Sequence, residues 1–228
     1  MNLLKRTWNS LVEQGPTRTC QTILGVFGDY WFDWRYGLST VQEVLLTDLD
    51  VPRPEEGAVD YQASRTRYFH RLLRRVNAPR GSVFVDLGAG KGRTLLIAAQ
   101  HGYRRAVGVE FSGELCEAAR RNIDTFRRKE AVSAELKVVH ADVCEYAISD
   151  DANVIYVSAF SCKTMQRVLH NLTQSLARAP REIKLVYHNP YCPQAIVEHG
   201  VFLQIDKFVY GSETALIYVN GRMPPLPR

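Results

Sequence analysis

The sequence predicts an α/β fold built on a doubly wound, mostly parallel sheet of seven strands. Between residues 61 and 220, short apolar runs alternate with amphipathic helical stretches, the pattern of parallel strands joined by helical crossovers. The first apolar run, Val83–Leu87, leads into a glycine-rich turn, as the first strand of such a sheet commonly does. Residues 211–213 separate the last two strand-like runs, so we expect the sheet to finish in an antiparallel hairpin.

The other strands are predicted from short runs rich in β-branched, aromatic and other apolar residues. These runs are Ala106–Val109, Leu136–Val139, Asn153–Ser158, Ile183–Tyr187, Phe202–Tyr210 and Thr214–Asn220. Helices are predicted where apolar residues recur at intervals of three and four. They begin near Ser64, span Arg93–Gln100, follow the N-cap residue Ser112, and run from Met165 to Leu176.

A helical and aromatic N-terminal extension or lid is predicted at residues 1–60. It precedes a main domain at residues 61–220 and a disordered tail at residues 221–228. The stretch Asp29–Tyr36 holds five aromatic residues in eight positions. That density favours a satellite core packed on the main domain. The alternative is a lid whose aromatic faces contact a base, a peptide side chain or a cation.

Composition and charge favour a cytoplasmic protein with no membrane partner. The 228 residues carry a net charge of +5, which permits an acidic partner such as RNA without requiring one. No run of 18 apolar residues occurs, and the first 13 residues lack the apolar core of a secretion signal. The five cysteines are scattered and form no C-x-x-C pair, which indicates reduced thiols. They are Cys20, Cys116, Cys144, Cys162 and Cys192.

The turn after the first strand carries glycines at alternate positions, Gly88, Gly90 and Gly92. Glycine lets the chain turn sharply there and lets a ligand approach the bare backbone. A dinucleotide-binding loop would have its third glycine five positions after the first, where this sequence has Arg93. A P-loop also fits poorly, because Val85 stands where its first glycine belongs. A glycine turn that binds no ligand is the structural alternative.

The spacing from Asp86 to Gly92, followed by Glu110 at the end of the second strand, resembles motif I and the ribose-binding acid of class I, Rossmann-like S-adenosylmethionine (SAM) methyltransferases. The resemblance covers residues 61–220. It implies that SAM is the cofactor and S-adenosylhomocysteine (SAH) the product, with Asp142 accepting from the adenine amino group. The residues that it places around the cofactor are Asp86, Gly88, Ala89, Gly90, Gly92, Glu110, Phe111, Asp142, Val143 and Ser158.

The acceptor end departs from the pattern of amino-group methyltransferases. Many of these carry [ND]-P-P-[FYW] after the fourth strand, where this sequence has Ser158, Ala159 and Phe160. An Asn189-Pro-Tyr191 sequence follows the fifth strand instead, and it also has the chemistry of an ordinary turn. Asn189, Tyr191 and Ser158 are therefore the candidate catalytic residues.

No metal site is predicted. His140, Asp142 and Cys144 alternate along the end of the third strand and could share one face. A fourth ligand does not lie within reach in the sequence, so this trio is a poor match to a closed metal site.

The predicted function is methyl transfer from SAM to a nitrogen or oxygen nucleophile, with a protein side chain favoured over a small molecule. An RNA methyltransferase is the first alternative, suggested by arginine-rich helices at residues 65–75 and 120–128. A SAM-binding or scaffold protein without catalytic activity is the second. A nicotinamide-dependent oxidoreductase is disfavoured by the glycine spacing. The stretch Tyr36–Thr40 is also similar to one in a group of bacterial methyltransferase-like proteins.

Overall fold

The computed structural model describes residues 15–42 and 63–221, in which helices and strands alternate along most of the chain. The helices are α1 Pro16–Tyr36, α2 Thr66–Val76, α3 Arg93–Gln100, α4 Gly113–Lys129, α5 Cys162–Arg178 and α6 Pro193–His199. The strands are β1 Val83–Leu87, β2 Arg105–Glu110, β3 Glu135–His140, β4 Val154–Ser158, β5 Lys184–His188, β6 Phe202–Tyr210 and β7 Glu213–Asn220. The expectations for residues 1–14, 43–62 and 222–228 lie outside the described residues.

The seven strands form one sheet in the order β3-β2-β1-β4-β5-β7-β6. Strands β1 to β5 are parallel to their neighbours. Strand β7 runs antiparallel to β5 and to β6, with which it forms the C-terminal hairpin. The predicted fold class, a doubly wound and mostly parallel sheet with a terminal hairpin, is confirmed.

Helices cover both faces of the sheet, which explains why β1 is apolar along nearly its whole length. All five residues of β1 are buried, and their side chains alternate between the two faces. Phe84 packs in a cluster with residues of α1, α2, α3 and α4. Val85 packs on the other face with residues of α5 and α6. In the described ranges, no helix is long and apolar enough to cross a bilayer.

The N-terminal extension contains a 21-residue helix, α1. Phe32 and Tyr36 from this helix are buried in the core shared with α2, α3 and α4, as the satellite-core prediction expects. Tyr30, Trp31 and Trp34 are 61%, 58% and 77% exposed on its outer side. The aromatic stretch therefore divides between a buried face and an exposed face, and the lid alternative stays a prediction.

One cysteine pair departs from the expectation of reduced thiols. Cys162 at the start of α5 and Cys192 just before α6 form a disulfide across 30 residues. The two helices follow the adjacent parallel strands β4 and β5, so their first turns begin side by side at one edge of the sheet. Spacing along the sequence does not reveal this proximity, and the prediction of a reduced thiol is wrong for this pair.

Candidate cofactor and acceptor site

The carboxyl ends of four parallel strands meet at one edge of the sheet. Asp86 lies near the end of β1, Glu110 ends β2, Ser158 ends β4 and His188 ends β5. Strand β1 has β2 on one side and β4 on the other, so the chain reverses its winding direction between β1 and β4. Ligands in doubly wound sheets bind in the crevice at such a switch point.

The glycine turn lies at this switch point and has a backbone that favours glycine. Gly88, Gly90 and Gly92 have φ angles of +91°, +52° and +80°. The amides of Gly88 and Ala89 both donate to the carbonyl of Val109, at 2.8 and 3.0 Å, which ties the turn to the neighbouring strand. A Cβ atom at Gly88 would lie 3.6 Å from the ring of residue 160, which follows β4. The turn therefore offers bare backbone beside the end of β4.

Glu110 is joined to the same turn by its carboxylate. Its Oε2 accepts from the amide of Gly90 at 2.8 Å, and its Oε1 accepts from the amide of Ser112 at 3.0 Å. Burial raises the pKa of Glu110, and the hydrogen bonds from backbone amides oppose that rise. Each carboxylate oxygen has a second lone pair, so the group can hold the turn and still accept from a ligand hydroxyl.

Asp86 is enclosed beneath the turn. Only 2% of this residue is exposed, and it accepts a hydrogen bond from the hydroxyl of Thr94 in α3. Burial raises the pKa of Asp86 to about 7; the Thr94 hydrogen bond lowers it and the charge of Glu110 raises it further. The two predicted cofactor carboxylates are therefore electrostatically coupled.

The predicted adenine-side residues lie at the outer end of the crevice, after β2 and β3. Asp142 is exposed, and its Oδ1 accepts from the amide of Cys144 at 2.7 Å in a local turn. Val143 and Phe111 are half-buried, and the Phe111 carbonyl lies 2.9 Å from Nε2 of His140. Across residues 15–42 and 63–221, no group of three His, Cys, Asp or Glu side chains could hold a metal ion.

A buried ionic contact that the sequence did not reveal joins α1 to the start of α3. The guanidinium of Arg93 lies 3.1 Å from Asp29 and 3.7 Å from Asp33, and only 2% of the Arg93 side chain is exposed. Arg93 also donates to the hydroxyl of Thr40 at 2.7 Å. Lys91, in the glycine turn, donates to the carbonyl of residue 42 at 2.9 Å. The N-terminal extension thus contacts the residues that flank the third glycine.

A second unexpected group, the β4–β5 polar cluster, consists of Tyr156, Ser158, His188 and Glu213. Nδ1 of His188 lies 3.0 Å from the Ser158 hydroxyl and 2.8 Å from the Tyr156 hydroxyl. Nε2 of the same ring lies 2.7 Å from a carboxylate oxygen of Glu213. Only Ser158 in this cluster is predicted from the sequence, because His188 ends a strand and Glu213 begins another 25 residues later.

Of the other two candidate catalytic residues, Asn189 borders this cluster and Tyr191 lies two residues further along the chain. Asn189 has a left-handed φ of +43°, and its amide group donates to Glu213 at 3.1 Å. Its side-chain oxygen accepts from the backbone amide of Thr214 at 3.3 Å, so the side chain ties β5 to the hairpin. Tyr191 is 69% exposed, and its backbone amide donates to the hydroxyl of Tyr187 at 3.2 Å.

Comparison with known proteins agrees with this geometry. Residues 84–180 match a family described as a methyltransferase domain, whose cofactor is SAM. A search of curated proteins found no significant match.

Solved structures with this fold include an RNA methyltransferase from Salinibacter ruber in complex with SAH (TM-score 0.53, 21% identity, 72% of this chain and 97% of that chain). A SAM-dependent methyltransferase from Aquifex aeolicus is similar at TM-score 0.55 and 11% identity, over 66% and 88% of the two chains. A ribosomal protein L11 methylase from Lactobacillus delbrueckii subsp. bulgaricus is similar at TM-score 0.56 and 14% identity, over 73% and 82%. At sequence identities of 11–21%, the structural similarity to these proteins establishes the fold of this chain.

Proposed function

Because the chain carries a methyltransferase domain with the class I fold, we propose that it is a SAM-dependent methyltransferase acting on a nitrogen or oxygen nucleophile. The observation that carries the proposal is the bond between Glu110 and Gly90, which couples the ribose-binding acid to the glycine turn. An unliganded structural turn would not require a buried carboxylate at its centre, since burying that charge costs free energy.

The residues around the crevice fit this cofactor. When bound, SAM supplies a methyl group on a positively charged sulfonium, which is already reactive toward nucleophiles. Gly88 and Gly90 would admit the methionine part along bare backbone, and Glu110 would accept from the ribose. Asp142 and the half-buried Phe111 and Val143 would hold the adenine end. The chain's main contribution would be to orient the acceptor and exclude water, which can lower a barrier by roughly 7–11 kcal/mol at the extreme.

The favoured acceptor is a protein side chain that approaches over Ser158. Tyr191, in the loop after β5, offers an exposed aromatic surface suited to the apolar part of a polypeptide side chain. Asn189 would act mainly by holding the strand ends together, because both ends of its amide already have partners. The acceptors named for similar structures, RNA and a ribosomal protein, belong to different chemical classes. These structures therefore do not decide between a protein acceptor and an RNA acceptor.

RNA is the second candidate acceptor. Arg67, Arg71 and Arg74 are exposed and follow one another at helical spacing along α2, so they form a stripe of positive charge. Binding through this stripe should weaken steeply with salt, with log affinity falling linearly against log salt concentration. Salt-independent binding of single-stranded RNA, or none, would remove this candidate.

Calorimetric titration with SAM, SAH and NAD tests the cofactor assignment. We expect SAM and SAH to bind and NAD not to bind. Methyl-labelled SAM incubated with fractionated cell extract then tests catalysis, since the label should move into one fraction. Binding without transfer to any protein, RNA or small-molecule fraction would favour the non-catalytic alternative.

A further inference from the structure

The β4–β5 polar cluster brings a carboxylate, an imidazole and a hydroxyl into line from three separate strands. Glu213 at the start of β7 contacts Nε2 of His188 at 2.7 Å, and Nδ1 of that ring contacts Ser158 at 3.0 Å. His188 is 4% exposed and the Glu213 side chain 16% exposed, whereas Ser158 is half-buried at the end of β4. Of these three groups, the Ser158 hydroxyl is the one best placed to meet a molecule in the crevice.

The position of the carboxylate determines which nitrogen of His188 carries the proton. Hydrogen bonds from His188 and Asn189 lower the pKa of Glu213, although burial alone would raise it. An ionised carboxylate can only accept, so Nε2 must carry a hydrogen. In the neutral ring, Nδ1 then has its lone pair directed at the hydroxyls of Ser158 and Tyr156. This is the protonation state that a proton acceptor requires.

The remaining contacts hold the imidazole in place. The Tyr156 hydroxyl lies 2.8 Å from Nδ1 of His188 and also 2.8 Å from the hydroxyl of Ser64, so it connects His188 at the end of β5 to the segment that leads into α2. The ring of Tyr68 packs 4.9 Å from the imidazole, centroid to centroid. Its buried hydroxyl has no hydrogen-bond partner among the described residues. These neighbours restrict rotation of the ring and exclude water from it.

This cluster is also adjacent to the glycine turn. Phe160, two residues after Ser158, places its ring 3.6 Å from where a Cβ of Gly88 would lie. The end of β4 therefore contacts the loop that would carry the methionine part of the cofactor. A nucleophile resting on Ser158 would lie close to that loop.

We propose that Ser158, His188 and Glu213 form a proton relay for an acceptor whose attacking atom carries a proton, such as a hydroxyl or an ammonium. As the acceptor atom bonds to the methyl carbon, the carbon–sulfur bond breaks and its electron pair stays on sulfur. The acceptor proton passes to the Ser158 oxygen, whose own proton moves to Nδ1 of His188. Glu213 stabilises the resulting imidazolium, and the proton later leaves to solvent. Ser158 is the catalytic residue, and His188 and Glu213 are positioning residues that act through it.

The relay rests on the proposed function, but its protonation state can be measured without an acceptor. In the protein bound to SAH, nitrogen-15 correlation spectra should show that the neutral form of His188 is the tautomer with hydrogen on Nε2. Replacement of Glu213 by Gln should shift the neutral ring toward a mixture of tautomers, because a side-chain amide can donate as well as accept. A neutral wild-type ring with its hydrogen on Nδ1 would overturn the proposal.

Transfer kinetics provide the second test, using methyl-labelled SAM and the extract fraction that receives label. Glu213→Gln and Ser158→Ala should each lower the rate at neutral pH by at least about 100-fold, the range expected for lost acid–base catalysis. The SAM affinity of Glu213→Gln, measured by calorimetry, should stay within about threefold of wild type. The matched control is Glu182→Gln, an exposed glutamate just before β5 that should transfer like wild type.

The pH profile separates a relay from a merely structural contact. The pH dependence of the wild-type rate should differ from that of Ser158→Ala, whose rate should rise only where the acceptor loses its own proton. The titratable and charged groups that face the ring or its partners are Glu213, Arg65, Tyr68, Tyr156 and Asp86.

A pH profile unchanged by Ser158→Ala and Glu213→Gln would refute the relay while leaving the methyltransferase proposal intact. Label found on Ser158 itself would also refute it, and SAM binding without any transfer would refute both proposals.

Discussion

The carboxylate of Glu110 accepts a hydrogen bond from the backbone amide of Gly90 at 2.8 Å. An acidic residue at the end of one strand thus helps to shape the turn that follows the neighbouring strand. Its other oxygen accepts from Ser112, where the next helix begins. The conformation of the glycine turn therefore depends on the same side chain that we propose to bind the ribose.

Replacing Glu110 with Gln should weaken SAM binding. The amide would place an N–H group against one of two backbone N–H donors, so one hydrogen bond would be lost and the turn would shift. We expect a loss of about 1–3 kcal/mol, roughly 5- to 150-fold in affinity by calorimetry. Glu114→Gln, in the exposed first turn of α4, is the control. Equal affinities in both variants would contradict the role assigned to Glu110.

Substitution of Gly88 should act on binding more than on folding. Gly88 and Gly81 have φ angles of +91° and +80°, so an alanine at either position is strained. A Cβ at Gly88 would enter the crevice near Phe160, whereas a Cβ at Gly81 would meet nothing within 4 Å. Gly88→Ala should therefore lower SAM affinity at least about tenfold, the equivalent of roughly 1.4 kcal/mol. Gly81→Ala should bind SAM with wild-type affinity, although its melting temperature should fall about as much as that of Gly88→Ala. Equal losses of SAM affinity in the two variants would disprove the assignment of Gly88 to the cofactor site.

Asp29→Asn should destabilise the protein strongly. Asp29 contacts Arg93 at 3.1 Å and Arg65 at 3.0 Å, and it accepts from the amide of Thr66 at 2.7 Å. Without the carboxylate, the buried guanidinium of Arg93 loses its main counter-charge, which should cost about 3–5 kcal/mol in urea unfolding. Asp206→Asn removes an exposed pairing with Arg75 and should change stability little. Similar unfolding midpoints for the two variants would show that the Asp29–Arg93 ion pair does not hold α1 in place.

The pH dependence of stability should carry a contribution from Asp86. Because burial raises its pKa to about 7, the folded protein keeps a proton that the unfolded chain loses near pH 4. This contribution to stability is fully present below about pH 4 and is lost as pH rises through about 7. Its size is at most about 4 kcal/mol. Asp86→Asn should therefore gain stability relative to wild type between pH 5 and pH 8 in urea unfolding, and identical pH slopes would contradict the assignment.

The disulfide between Cys162 and Cys192 should be detectable in the purified protein. Alkylation under denaturing, non-reducing conditions should modify three of the five cysteines. Loss of a cross-link with this separation should cost about 3–4 kcal/mol of unfolding free energy in Cys162→Ser. Cys20→Ser, on the exposed side of α1, should keep the wild-type melting temperature. Alkylation of all five cysteines before reduction would show that the pair is a dithiol.

Local sequence carried enough information to predict the sheet and the position of the glycine turn. The helix Arg93–Gln100 and the N-cap Ser112 occur as expected, and Ser112 accepts from the amide of Leu115 at 3.3 Å. Short helix α6 was not predicted, because seven residues that begin with a proline and are followed by a glycine resemble an ordinary loop. Strand and helix periodicities are properties of neighbouring residues, so they can be read directly from the chain.

The sequence by itself determined the mostly parallel sheet with its terminal hairpin, the glycine turn, and the carboxylates Asp86 and Glu110 beside it. Tertiary structure decided which groups meet at the ends of β4, β5 and β7 and at the start of α3. His188 faces Glu213 because β5 pairs with β7 in the register that sets His188 opposite Ala215. Arg93 meets Asp29 because α1 packs across the start of α3. Such contacts depend on the register and packing of elements distant in sequence, which local periodicity does not encode.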